Sequence, residues 1–422
     1  MLEYLDVYLW GQKAGTLVSS KRGYGQQVCY YFDAEFVKKG IDIAPSRAPI
    51  DGVAAKRAMP VYPESGKEFG GLPSFIADSL PDHWGNVLFT EWAKSRHIRL
   101  HDITPLDRLA YIGRRGMGAF EFVPPSFSEL ETPFKVEVAE LSQLAQMALS
   151  EAQNFHAIIN SGLAIESLFK VGTSAGGRRP KAVINVNPLS GQCYSGQVPA
   201  PFPGFVPMII KFDEHTEIPS TRIEYSYYLM ATAADMKMMP SKLLEGKLET
   251  HFLTERFDRK GDEKIHVQTL AAMNPLASSY EDLFEVAISI GVVPSEVKQL
   301  FLQMVMNVVG GNVDDHNKNF SFIMGKDGAW HISPAYDYTF TIDLSGPFYV
   351  NRHSLTLNGK CQDISKKDLL EIAARFDVKD ASSIVNKAVD AVSSYRKYAI
   401  SAGVPEPWIK RIEEEIGRLS NL

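Results

Sequence analysis

The segment GGNVDDHNKNFSF, from Gly310 to Phe322, gathers adjacent carboxylates, side-chain amides and one imidazole between a helical and a strand-like run. Asp314 and Asn319 stand five positions apart, the separation of the base Asp and the metal-binding Asn in a protein-kinase catalytic loop. Spacing of this kind also suits a solvated, Asx-rich turn. Farther on, SPAYDY ends a short strand with Asp337, eighteen residues after Asn319. A hairpin returning that strand would let Asn319 and Asp337 offer hard oxygen ligands. Mg²⁺ takes such ligands, with one or two protein groups beside waters and phosphate oxygens. Taken alone, Asp337 fits a turn-former better than a ligand.

Upstream, VGTSAGGRRPKAVI carries Gly172, Gly176 and Gly177, then Arg178, Arg179 and Lys181, directly before a strand. Such a loop can turn backbone N–H groups and cations toward phosphate. It lacks the GK[ST] ending of a Walker A loop, and an ordinary hairpin turn fits it as well. Lys211 closes the apolar strand MIIKF, either as an edge residue reaching solvent or as a phosphate partner. Thirteen residues later, Glu224 could pair with Lys211. The run Thr221, Arg222, Ile223, Glu224 spells a capping box before an apolar stripe, however, and helix capping is the preferred reading.

These residues need a scaffold of two kinds. The first ~125 positions mix alternating segments with Gly and Pro punctuation and read as mainly β, interrupted by helical spacing at Leu72 to Lys94. A linker-like stretch follows Pro124. Helices are expected over Val136 to Ala152 and Phe155 to Phe169, and strands over Ala182 to Val186 and Val206 to Phe212. Beyond ~265 the pattern turns helical, with Tyr280 to Ile290, Ser295 to Val309, Lys366 to Phe376, Ala381 to Ile400 and Pro407 to Arg418 the clearest segments. β-rich then α-rich order predicts an α+β fold.

At 422 residues the chain can form two or three packed units. The formal charge of -6 disfavours nucleic-acid binding through overall charge, so a DNA contact would need a partner. Three scattered cysteines, Cys29, Cys193 and Cys361, offer neither a disulfide framework nor a thiolate cluster, which fits a reducing cytoplasm. The N-terminus MLEYLDVYLWGQKAG does not read as a signal peptide, and no apolar run is long enough to span a membrane.

A Gly-rich basic loop, a strand lysine, a helix, a strand ending in ERFDR, a D-x-x-x-x-N loop and a following Asp occur in the order of a kinase. Through GTSAGGRRPKA, LTERFDR, NVDDHNKN and SPAYD, supported by LPSF, SLPDHWG and GRRGMGAFEF, the sequence resembles HipA-like serine/threonine kinases over nearly its whole length. These are the toxin halves of bacterial HipBA-type toxin–antitoxin pairs. The resemblance implies a two-lobed protein-kinase-like fold: a β-rich subdomain over 1–125, an N-lobe-like region over 126–262 and an α-helical catalytic lobe over 263–422. It implies Asp314 as catalytic base, assisted by His316, and Asn319 and Asp337 as holders of Mg²⁺ against ATP. Lys181, Lys211, Gly176 and Gly177 would meet phosphate, Glu255 and Phe257 the adenine, and Ser174 would be the autophosphorylation site. His316 could equally be a loop-packing imidazole.

Tyr338 follows Asp337 where eukaryotic-type kinases have Phe-Gly, so a movable Asp-Phe-Gly switch is not expected. No helix-turn-helix unit is evident, so the expected partner is a separate HipB-like antitoxin dimer that would carry any DNA association. The family's best-known substrate is an aminoacyl-tRNA synthetase, and acceptor choice is not legible from single-sequence patterns. Two other readings stay open: a nucleotide-binding corepressor scaffold for the antitoxin, and a small-molecule kinase on the same fold.

Overall fold

The computed structural model describes residues 2–22, 25–66, 69–125, 132–150, 179–214, 216–246, 249–344 and 351–420. The expected helix over Phe155 to Phe169 and the residues Ser174, Gly176 and Gly177 lie outside them. The chain divides into two compact units: Met1–Glu214 with Leu253–Gln268 and Gly325–Gly328, and His215–Phe252 with Thr269–Met324 and Ala329–Leu422.

In the first unit, β1 (Tyr4–Leu9), β2 (Gln12–Arg22), β3 (Gly25–Phe32) and β4 (Phe120–Val123) form an antiparallel sheet ordered β3-β2-β1-β4. Period-2 alternation buries Leu5, Val7 and Leu9 on one face. Trp10 and Gly11 both take positive φ between the paired Leu9 and Gln12, the two-residue turn whose twist matches a hairpin. Helical content exceeds the expected β-rich pattern here. The helix His83–Ser95 is capped by Asp82, and the helix Pro105–Ile112 starts from a Thr104/Asp107 capping box with Pro at its first turn.

A second sheet of the first unit joins β5 (Lys135–Val136), β6 (Lys181–Val186), β7 (Cys193–Ser195) and β8 (Val206–Lys211) in the order β5-β7-β6-β8. Every residue of β6 is buried, so its apolar run has no solvent face. Gly196 lies so close to β6 that a Cβ there would sit 2.5 Å from the Ile184 nitrogen. The helix Val138–Ser150 matches the expected amphipathic segment.

In the second unit the helix Pro294–Gly310 is buried along its stripe of Val297, Leu300, Phe301, Met304, Val305 and Val308. It packs against Tyr280–Ser289, Ala381–Ser393 and Glu406–Leu419. Where one helix was expected from Ala381 to Ile400, there are two, broken at Ser394. The Ser394 N–H and hydroxyl turn back onto the carbonyls of Ala391 and Asp390, at 3.1 and 3.0 Å. The redirected chain buries Tyr395 edge-on to Tyr227, 5.7 Å between ring centroids.

The helix Ser220–Ala233 corrects the capping-box reading. Its N-cap is Pro219, without a side-chain cap. Thr221 lies inside the helix and donates instead to the Thr250 carbonyl at 2.7 Å, in a buried site that outcompetes the cap. Glu224 is buried. β9 (Ser241–Glu245) follows, and β10 (Thr250–Glu255) passes from the second unit into the first. Later come the short hairpin β11 (Arg259–Lys260) and β12 (Glu263–Lys264), then β13 (His266–Thr269), β14 (Ser321–Met324) and β15 (Trp330–Ile332). Among the described residues no helix is long and apolar enough to cross a membrane.

Candidate active site

The loop carrying Asp314 begins where the helix Pro294–Gly310 must stop. Gly311 takes the left-handed conformation at φ 70°, and its N–H caps the Asn307 carbonyl. A side chain at Gly310 would meet the Tyr338 hydroxyl at 2.3 Å, so only glycine fits. Tyr227 donates to the Gly310 carbonyl at 2.6 Å and Tyr338 to Met306 at 3.0 Å, fixing the helix end from two sides.

Thr341 holds the next residues. Its hydroxyl oxygen accepts the N–H of Val313 at 2.8 Å and of Asp314 at 3.1 Å, and it donates to Asn312 Oδ1 at 3.3 Å. With its backbone satisfied in this way, Asp314 turns a 64% exposed carboxylate to solvent. The Asn319 amide nitrogen donates to the Asp314 carbonyl at 2.7 Å, which leaves its oxygen for another partner. His316 Nδ1 accepts from the Lys318 N–H at 3.2 Å, so Nε2 carries the proton, 3.9 Å from Asp314 Oδ1.

The antiparallel pair β14 and β15, in register Phe322 to Ile332, returns the chain to this loop. Tyr336 then donates to the Lys318 carbonyl at 2.8 Å and lies 2.6 Å from the Ser321 hydroxyl. Asp337, next in sequence, is half-buried at φ 51°, a left-handed position that Asp tolerates. Asp314, Asn319 and Asp337 thus lie on two segments bonded together through Tyr336 and Thr341. The donor set is oxygen-rich, and among the described residues no three His, Cys, Asp or Glu side chains cluster as a metal site. One amide oxygen and one carboxylate fit Mg²⁺ rather than a protein-caged zinc. Sequence reasoning did not single out Thr341 or Tyr336. Their only signal was position, four residues after and one before Asp337.

In the first unit, Lys181 and Lys211 are directly opposite in the β6–β8 register and so leave the same face. Lys211 is half-buried. Lys181 is 2% exposed, its ammonium 3.7 Å from Asp82 and its carbonyl accepting from the Trp84 indole at 2.8 Å. The SLPDHWG motif therefore caps a helix and packs against β6.

Glu255 and Phe257 alternate with Arg256 and Asp258. The first pair is partly exposed and the second buried. Arg256 grips Asp258 with two bonds of 2.8 Å, and Arg259 adds a third at 2.6 Å. The Gly118 N–H donates to Asp258 at 2.8 Å, while Arg259 reaches the carbonyls of Gly116 and Gly118. Burial pushes the Asp258 carboxyl up, but the Arg256 and Arg259 guanidiniums outweigh it and hold it below the usual range. Burial, with Arg256 beside it, lowers Arg259 to about 10. ERFDR thus supplies a buried ion cluster whose remaining bonds are met by the backbone of GRRGMGAFEF.

A family model described as the HipA-like C-terminal domain matches residues 173–396, and one described as the HipA N-terminal domain matches residues 5–123. Among solved structures, a Shewanella oneidensis MR-1 toxin–antitoxin complex of HipA, HipB and operator DNA contains a chain similar over 99% of this chain and 96% of that one. The identity is 13% and the TM-score 0.66, a likeness of fold. The Helicobacter pylori proinflammatory kinase CtkA matches over 51% of this chain and 92% of that one, at 14% identity and TM-score 0.33. No curated protein matches the chain. The mixed helix-and-sheet architecture is the expected α+β class, and since the C-terminal model alone spans more than half of the sequence, the chain belongs to the HipA-like family.

Proposed function

We propose that the chain is an ATP-dependent serine/threonine protein kinase acting as the toxin of a HipBA-type pair, with Ser174 as its own phosphorylation site. The observation that carries this reading is the Asp314–Asn319 loop, its exposed carboxylate set by Thr341 and its flank bonded to the segment of Asp337. Magnesium–ATP, when bound, supplies the γ-phosphoryl group and neutralises developing charge. Asn319 and Asp337 would hold the ion. Asp314 aligns the acceptor hydroxyl and takes its proton, while the His316 Nε2–H steadies the carboxylate. Lys211 meets phosphate, and Glu255 and Phe257 meet adenine. Transfer needs alignment and charge stabilisation and no covalent enzyme intermediate.

Incubation of the purified chain with γ-labelled ATP and Mg²⁺ should label the peptide containing Ser174, and Asp337→Asn should remove that label. Equal labelling of the variant would refute the metal assignment. The likeness to a HipA–HipB–operator assembly supports a HipB-like helix-turn-helix partner, through which the chain would associate with DNA. Because the family's best-known substrate is an aminoacyl-tRNA synthetase, such an enzyme is the first protein acceptor to assay.

The two lysines should separate in assay. Lys211→Met is expected to lower kcat/KM for ATP by about 10- to 100-fold, the scale of one lost charged contact. Lys181→Met removes a buried cation beside the half-buried Asp82 and should lower the melting temperature. A wild-type melting temperature for Lys181→Met would contradict its structural role.

A further inference from the structure

The neighbours Asp314 and Asp315 point opposite ways. The Asp314 side chain is 64% exposed and that of Asp315 is 0% exposed. Asp315 has no place in the transfer chemistry, yet it is the most heavily bonded carboxylate of the loop. Its Oδ2 accepts from the Tyr280 hydroxyl at 2.5 Å and from His353 Nδ1 at 2.8 Å, and its Oδ1 accepts the Ser354 N–H at 2.7 Å. All three donors come from outside the loop. A carboxylate so bonded holds the proton on His353 Nδ1, and hydrogen bonds to an ionised acceptor are the stronger kind.

The donors are themselves framed. The Ser354 hydroxyl donates to the Val313 carbonyl at 3.2 Å, the Thr356 N–H to Ser278 at 2.9 Å, and the Tyr280 N–H to Thr356 at 2.9 Å. The Tyr280 hydroxyl also accepts from Asn307 at 3.0 Å. Asn307 Oδ1 accepts from Asn312 Nδ2 at 2.9 Å, and Asn312 Oδ1 accepts from Thr341, which receives the N–H of Asp314. The bonds therefore close a circuit: Asp315, Tyr280, Asn307, Asn312, Thr341 and back to Asp314.

We infer that Asp315 and His353 are positioning residues for phosphoryl transfer, a buried pair that fixes the backbone on which Asp314 and Asn319 are presented. The inference rests on the kinase reading for its catalytic consequence and on geometry for its mechanical one. A loop shift of about 1 Å is enough to cost about 100-fold in rate without touching a reacting group.

The test uses the full chain and three variants. Asn at 353 can place an amide N–H near Nδ1, Leu cannot, and Tyr280→Phe removes one hydroxyl from a buried ring. His353→Leu and Tyr280→Phe should lower kcat about 10- to 100-fold with KM for ATP within about twofold, whereas His353→Asn should restore most of kcat. Hydrogen exchange of peptides covering 311–320 should quicken about 10-fold or more in the first two variants and stay near wild type in His353→Asn. The inference is overturned if His353→Leu keeps wild-type kcat and wild-type loop exchange. It is equally overturned if the Asn and Leu variants lose activity alike, in step with their melting temperatures. Absence of any transfer by the wild type would refute the kinase reading, and the exchange measurement would still decide the positioning role.

Discussion

Asp314→Asn should reduce phosphoryl transfer by about 10²- to 10⁴-fold, the range a positioned general base contributes. It should leave the melting temperature within about 1 °C of wild type, since exposed substitutions away from caps and cores cost little. The bonds that Asp314 makes to the loop run through its backbone: its N–H to Thr341 and its carbonyl from Asn319. Asparagine keeps both. What it loses is the charge on an exposed side chain and a 3.9 Å approach to His316, a pairing of little structural worth. Radiolabel transfer to Ser174 and a thermal melt on the same preparation check the two halves. Wild-type transfer by the variant would remove Asp314 from the base role. Lost transfer together with lost fold would mean that the carboxylate is structural.

The stripe Val297, Leu300, Phe301, Met304, Val305 and Val308 was readable because one apolar period organises a whole helix, and that helix is buried on that face. The Asp314–Asn319 spacing was readable for a related reason. Both residues sit on one uninterrupted loop, where separation along the chain limits separation in space. The Thr341 contact was not readable, since it joins positions 27 apart through a single hydroxyl that leaves no periodic trace. The pairing of Asp258 with Arg256 and Arg259 lay in plain view as RFDR, but its burial depends on Gly118, 140 positions away. The capping box failed where tertiary bonding overrode a local motif, as Thr221 found the Thr250 carbonyl. Ser394 ended a helix that periodicity alone carried onward, because a serine bonding back to preceding carbonyls has no apolar signature.

Asp258→Asn should destabilise the first unit by about 3 to 5 kcal/mol, the usual cost of removing one member of a buried ion pair. The substitution keeps the volume but leaves two guanidiniums, on Arg256 and Arg259, around a neutral amide in a fully buried site. The sign of the pH dependence follows from the depressed carboxyl. Asp258 titrates lower in the folded chain than in the unfolded one, where it takes the ordinary value of about 3.9. Its contribution is therefore complete above pH ~4 and declines as the pH falls toward its folded value. Denaturant melts at pH 7 should show the full gap between wild type and variant, and melts at pH 3 a smaller one. A gap that widened in acid would place the stabilising charge elsewhere.

The same cluster bears on how the molecule can be dissected. Asp258 and Arg259 draw bonds from Gly116 and Gly118, Lys264 reaches the Arg114 carbonyl and Glu121, and Trp10 donates to the Lys264 carbonyl at 2.7 Å. Gln268 donates to Phe75, and the His266 ring sits 3.1 Å from the Ile43 carbonyl. A fragment begun after residue 125 would strip polar and charged interior groups of their counterparts along the whole of 256–268. The opening segment is thus an integral wall rather than a detachable cap, and the opening 125 residues and the remainder should become soluble only when produced in the same cell.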